Sequence, residues 1–109
     1  MIGSALLGAA MITALFTLGA SANEPNVSHQ VVIEKFKFIP ATLTVKAGDT
    51  VEWINRDIVP HTATEDKRAW DTKNLNKGQA GVITFSSPGE QSYICRFHPN
   101  MKGIITVTE

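Results

Sequence analysis

From Gln30 onward, apolar residues recur at every second position over short runs, and each run stops at Gly, Pro, Asn, Asp or Ser. That period belongs to strands, whose side chains point alternately to two faces; a helix would repeat every three to four residues. Between Gln30 and Phe38, Val31 and Ile33 alternate with charged neighbours, while Phe36 and Phe38 share a face. Ala41 to Val45 follows Pro40, and Lys46 to Asp49 reads as a turn. Thr50 to Asn55 puts Val51, Trp53 and Asn55 on one face and Glu52 and Ile54 on the other. His61 to Thr64, Val82 to Phe85, Gln91 to Cys95 and Ile104 to Thr108 read as further strands, with turns at Ser87 to Gly89 and Asn100 to Gly103. Glu65 to Gly78 is polar and reads as loop anchored by Trp70 and Leu75. About seven or eight short strands with no helical pattern predict an all-β, two-sheet sandwich. Trp53, Phe36, Phe38, Phe85 and Tyr93 are its expected core. His29, beside the start of the domain, is expected to be solvated.

The first 22 residues are different in kind. No charged residue precedes Glu24, and Leu6, Leu7, Met11, Ile12, Leu15, Phe16 and Leu18 form an apolar stretch. Ala20-Ser21-Ala22 then offers the small-x-small pattern of a signal-peptidase site. The expected organisation is a signal peptide over 1–22 and one folded domain over 23–109, in a periplasmic or secreted protein. No Lys or Arg precedes the apolar stretch, and an uncleaved anchor is the competing reading; only then would a membrane be a partner. Ten basic and ten acidic residues leave no net charge, which argues against a nucleic-acid partner. A single cysteine, Cys95, excludes an internal disulfide. In an oxidising compartment a lone thiol is lost to oxidation unless something occupies it, and a metal can.

The chemistry concentrates near the C-terminus, in Cys95-Arg96-Phe97-His98-Pro99-Asn100-Met101, with His61 after Pro60 upstream. One thiolate, two imidazoles and a weak thioether form the trigonal donor set of a blue-copper electron-transfer site. Imidazole suits the oxidised ion and sulfur the reduced one, so a compromise site limits ligand movement as the electron passes. Zinc would recruit further Cys, His or carboxylate rather than Met. A c-type haem needs a second cysteine ahead of its histidine. A Cys–His nucleophile stays open at this point, although no third orienting residue accompanies it.

These residues, with Val51-Glu52-Trp53-Ile54-Asn55-Arg56-Asp57, Pro60-His61 and the short Cys-x2-His-x2-Met loop, resemble the cupredoxins, amicyanin and its relatives most closely. The resemblance spans residues 30–108 and implies a Greek-key sandwich holding one type 1 copper ion, Cu(I)/Cu(II). It implies His61, Cys95 and His98 as strong ligands, Met101 as the axial one, and no enzymatic activity. It also implies a one-electron carrier between redox proteins, with an amine dehydrogenase or a c-type cytochrome as possible partners, and a monomer is expected. Val59, Pro60, Phe97 and Pro99 would form an apolar exit patch rimmed by Arg56, Arg96 and Lys102. A copper-binding module for storage, delivery or resistance is the alternative; no Met- or His-rich tail supports it. Two departures stand out. Thr62 replaces the asparagine that commonly braces the cysteine loop, and Phe97 replaces a proline before the second histidine.

Overall fold

The computed structural model describes residues 24–109, and the expected signal peptide lies outside them. Among the described residues eight strands form two four-stranded sheets. They are β1 (Ser28–Glu34), β2 (Lys37–Ile39), β3 (Thr42–Lys46), β4 (Thr50–Asn55), β5 (Thr64–Glu65), β6 (Ala80–Thr84), β7 (Gly89–Cys95) and β8 (His98–Thr108). One sheet runs β2-β1-β4-β6 and the other β3-β8-β7-β5. β1 pairs with β4, and β3 with β8, in parallel; the other pairs are antiparallel.

The alternation read from the sequence places the core. Val31 and Ile33 of β1, Val51 and Trp53 of β4, Tyr93 and Cys95 of β7, and Ile105 and Val107 of β8 all face inward and are buried. Tyr93 lies across from Gly103, where a Cβ would stand 2.3 Å from the ring. Only glycine lets the phenol cross β8 here and accept a hydrogen bond from Trp53 Nε1 at 3.2 Å. Burial raises the Tyr93 phenol to about 12, against the lowering effect of that bond.

Four expectations need correction. Phe36 is not core but 48 % exposed. Lys35 and Phe36 both have positive φ (56° and 59°) and form the two-residue turn of the β1–β2 hairpin, so the run from Gln30 is two strands. The turn expected at Asn100 to Gly103 is instead at Arg96 and Phe97, because β8 starts at His98, which pairs with Cys95. His61 is not in a regular strand; it makes an isolated bridge to Leu75, and the strand nearby is Thr64–Glu65. His29 is not simply solvated: its Nε2 lies 3.0 Å from Asp49 Oδ2.

Candidate metal centre

The first part of the site begins where β4 ends. Asn55 is fully buried, and its Nδ2 donates to the carbonyls of Val59 (2.9 Å) and Leu75 (2.8 Å). Its Oδ1 accepts from Asp57 N at 2.9 Å. One side chain thereby folds the 55–60 loop on itself, and the chain emerges through Pro60 with His61 turned into the protein. Reciprocal backbone bonds with Leu75 (3.1 and 2.8 Å) hold His61 in place.

Asp57 sets the state of that histidine. Its Oδ2 lies 2.8 Å from His61 Nε2. A carboxylate only accepts, so the proton sits on Nε2 and the Nδ1 lone pair faces inward, 3.6 Å from Cys95 Sγ. The same carboxylate accepts from Lys35 N (2.7 Å) and Phe36 N (2.9 Å), the two left-handed residues of the hairpin turn. Burial pushes the Asp57 carboxyl up, but the Phe36 and Lys35 amides and His61 outweigh it, leaving it below its ordinary value. The pinned turn brings the Phe36 ring edge-on to His61 (5.2 Å between centroids, 87°) and to His98 (4.9 Å, 89°).

The second part is the β7–β8 hairpin. Cys95 closes β7, fully buried, and His98 opens β8 after a two-residue turn. His98 Nδ1 stands 3.8 Å from Cys95 Sγ. The pairing jumps from Cys95↔His98 to Ile94↔Lys102, so Pro99, Asn100 and Met101 bulge between two rungs. The bulge turns Met101 inward, where it is buried and shares a shallow hollow with Phe36 at the same end of the sandwich. His61, Cys95 and His98 offer donor atoms that all lie within 4.8 Å of one another.

This donor set suits a soft, redox-active ion. One sulfur and two Nδ1 lone pairs converge, with a thioether on the adjoining bulge, and the nearest carboxylate, Asp57, spends its oxygens on three N–H groups. Copper fits such a set, whereas zinc favours four strong ligands. Burial also removes the nucleophile reading, since Cys95 presents no surface to a substrate.

Thr62 keeps a brace despite its short side chain. Its Oγ1 accepts from Arg96 N at 2.9 Å, and its own N–H points to Cys95 Sγ at 3.4 Å. Phe97 is exposed, with the Arg96 guanidinium 6.0 Å over its ring. Sequence reasoning missed Asp57 as the partner of His61, Phe36 as a wall of the site, and Ile58, 83 % exposed, beside it. The one signal for Asp57 is its position four residues before His61, too common a spacing to single it out.

Comparison with known proteins agrees with this geometry. The family model described as "Cupredoxin-like domain" matches residues 6–107. The chain is 37 % identical over 93 residues to an amicyanin of Paracoccus versutus, covering 81 % of this chain and 70 % of that one. It is 31 % identical over 112 residues to a plastocyanin of Nostoc punctiforme, covering 86 % and 81 %. Among solved structures, it superimposes with a TM-score of 0.71 and 35 % identity on a Cu-containing nitrite reductase from Thermus scotoductus. That match covers 80 % of this chain but spans only 23 % of the reductase. Fold, converging donors and relatives agree: this chain belongs to the cupredoxin family.

Proposed function

We propose that the protein is a one-electron carrier in which His61, Cys95, His98 and Met101 hold a single type 1 copper ion, as in amicyanin and plastocyanin. The observation that carries this reading is the convergence of one buried thiol and two imidazole Nδ1 atoms, all within 4.8 Å, on a short hairpin and a braced loop. The bound ion would supply a Cu(I)/Cu(II) couple. The chain's part is to keep the ligands in nearly the same places in both states. Asp57 fixes the His61 ring, the Cys95–His98 rung fixes the hairpin, and Phe36 packs against both imidazoles. Ligands that do not move lower the reorganisation cost of each transfer.

The partners are other redox proteins, and the surface near His98 supports a reading of their chemistry. Phe36 and Phe97 are each 48 % exposed there, and Ile58 extends the apolar area. Arg56 and Lys77 line one side of Phe36, and Lys37 and Lys102 the other. None of these four cations has an ion-pair partner among the described residues. Against these four cations stand Asp57, beside Arg56, and Glu34, the register partner of Lys37, so the collar around the apolar patch keeps a net positive charge. That collar fits an acidic partner face, steered into a brief encounter. The uncharged stretch over 1–22 supports a cleaved export signal and a periplasmic location, where the buried thiol is protected by copper.

The test is protein-film voltammetry of the copper-loaded protein. A reversible one-electron wave whose copper content survives repeated cycling is expected, and Met101→Gln should lower the midpoint while copper stays bound. Loss of copper on each reduction would point to copper delivery instead.

A further inference from the structure

Two buried hydroxyls behind the cysteine loop form a chain with only one possible direction. Thr62 and Thr64 are fully buried, so their hydroxyls must find protein partners. Thr64 Oγ1 lies 2.9 Å from Asp71 Oδ1 and 2.9 Å from Thr62 Oγ1. The Asp71 carboxylate can only accept, so the single Thr64 proton goes to it. Thr64 is then an acceptor toward Thr62, and the Thr62 proton is spent on Thr64. With its proton committed, Thr62 Oγ1 can only accept on its other side, and it receives Arg96 N–H at 2.9 Å. Every bond in the series Arg96 N, Thr62, Thr64, Asp71 points the same way, and such bonds polarise one another.

The series also closes on itself. It starts at the Arg96 amide, the peptide directly after Cys95, and ends at a carboxylate whose Oδ2 is 3.2 Å from Arg96 Nε. That Nε is buried and misaligned for a hydrogen bond, so the contact is Coulombic. Asp71 is held in turn by the amide of Lys73, which donates to Oδ1 at 2.7 Å. The turn after Cys95, the start of β5 and the 71–73 segment are thereby one unit. Thr62 sits at its centre, and its backbone N–H meets the Cys95 sulfur at 3.4 Å.

We propose that Thr64 and Asp71 are positioning residues for the copper thiolate: through the fixed Thr62 hydroxyl they hold the Cys95–Arg96 peptide, and with it Cys95 Sγ, against the Thr62 amide and so tune the site. This rests on Cys95 being the copper ligand. An N–H donated to a thiolate draws charge from the sulfur, which disfavours the oxidised ion relative to the reduced one and raises the potential. Thr64→Val, close in shape, removes the acceptor for Thr62 and the donor to Asp71. The Thr62 hydroxyl then loses the bond that fixes its lone pair on the Arg96 N–H, so the Cys95–Arg96 peptide is held less firmly. The sulfur drifts from the Thr62 amide, which its own neighbours keep in place through Leu75 and Thr72.

Three readouts on the full chain test this. In the copper-free protein the Arg96 amide of Thr64→Val should exchange about tenfold faster, because the Thr62 hydroxyl that accepts it has lost its own bond to Thr64. In the copper-loaded variant the midpoint potential should fall and the thiolate-to-copper absorption should shift, while Thr64→Ser restores all three. Asp71→Ala, on the partly exposed segment, removes the acceptor for Thr64, should move them the same way and stands in if Thr64→Val does not fold. A folded, copper-loaded variant with the parent's potential and spectrum overturns the proposal. A parent protein with no thiolate-to-copper absorption would instead overturn the copper reading on which it rests.

Discussion

The Asp57 carboxylate carries two loads, and Asp57→Asn separates them. Asp57 Oδ1 accepts from Lys35 N, and Oδ2 from both Phe36 N and His61 Nε2. An asparagine keeps one oxygen. In its better orientation that oxygen stays toward Phe36 and His61, and the NH2 group is turned on the Lys35 amide. One bond is lost outright and two lose their charge assistance. Hydrogen bonds to charged groups contribute about 1.5–3 kcal/mol and neutral ones about 1 kcal/mol. Water reaches the exposed hairpin turn and recovers part of this, so the net loss should be about 2 kcal/mol. The turn adds a cross-check. A left-handed conformation costs a non-glycine residue about 1–2 kcal/mol, and Lys35 adopts one (φ 56°) with its side chain exposed. Lys35→Gly removes that cost and should recover about 1 kcal/mol in the Asp57→Asn background. Urea denaturation of the copper-free protein measures both effects. A loss under about 0.5 kcal/mol, or no recovery from Lys35→Gly, would refute the role given to Asp57.

Other outcomes follow from single contacts. Gly103→Ala should destabilise by about 1–3 kcal/mol in denaturant, because its Cβ would lie 2.3 Å from the Tyr93 ring. The Asp49 carboxyl is held at about 2 by His29 and by the amides of Val27 and Lys46. Its stabilisation is present above the unfolded value near 4 and is lost as pH falls from there to about 2, so Asp49→Asn should flatten acid unfolding over that window. The Tyr93 phenol should not ionise before about pH 12 in an absorbance titration of the folded protein. Electron exchange with an acidic redox protein should slow as salt rises, and Arg56→Gln with Lys77→Gln should weaken that dependence; a rate indifferent to salt contradicts the collar.

Much of the fold was legible because inward and outward residues of half-buried strands differ at every step. Val51, Trp53 and Asn55 against Glu52 and Ile54 place β4 correctly from pattern alone. The hairpin tip was not legible, because Lys35 and Phe36 replace the Asn-Gly type of pair that normally marks such a turn. What permits them is a carboxylate more than twenty residues away in sequence. The same distance hid Phe36, whose alternation with Phe38 suggested a shared core face. Within the site, donor atoms were readable from chemistry and spacing, since few residue types combine thiolate, imidazole and thioether. The residues that hold those donors were not, because Asp57, Thr64 and Asp71 are ordinary loop and strand residues until the fold brings them together.

The central claim is a copper ion bound through the Cys95 thiolate, and titration of the copper-free protein with Cu(II), followed by visible absorption, tests it most directly. One equivalent should produce an intense blue colour that is bleached by reductant and returns on reoxidation, and Cys95→Ser should never develop it. A weak colour beyond one equivalent, or an intense one that persists in Cys95→Ser, would contradict the account.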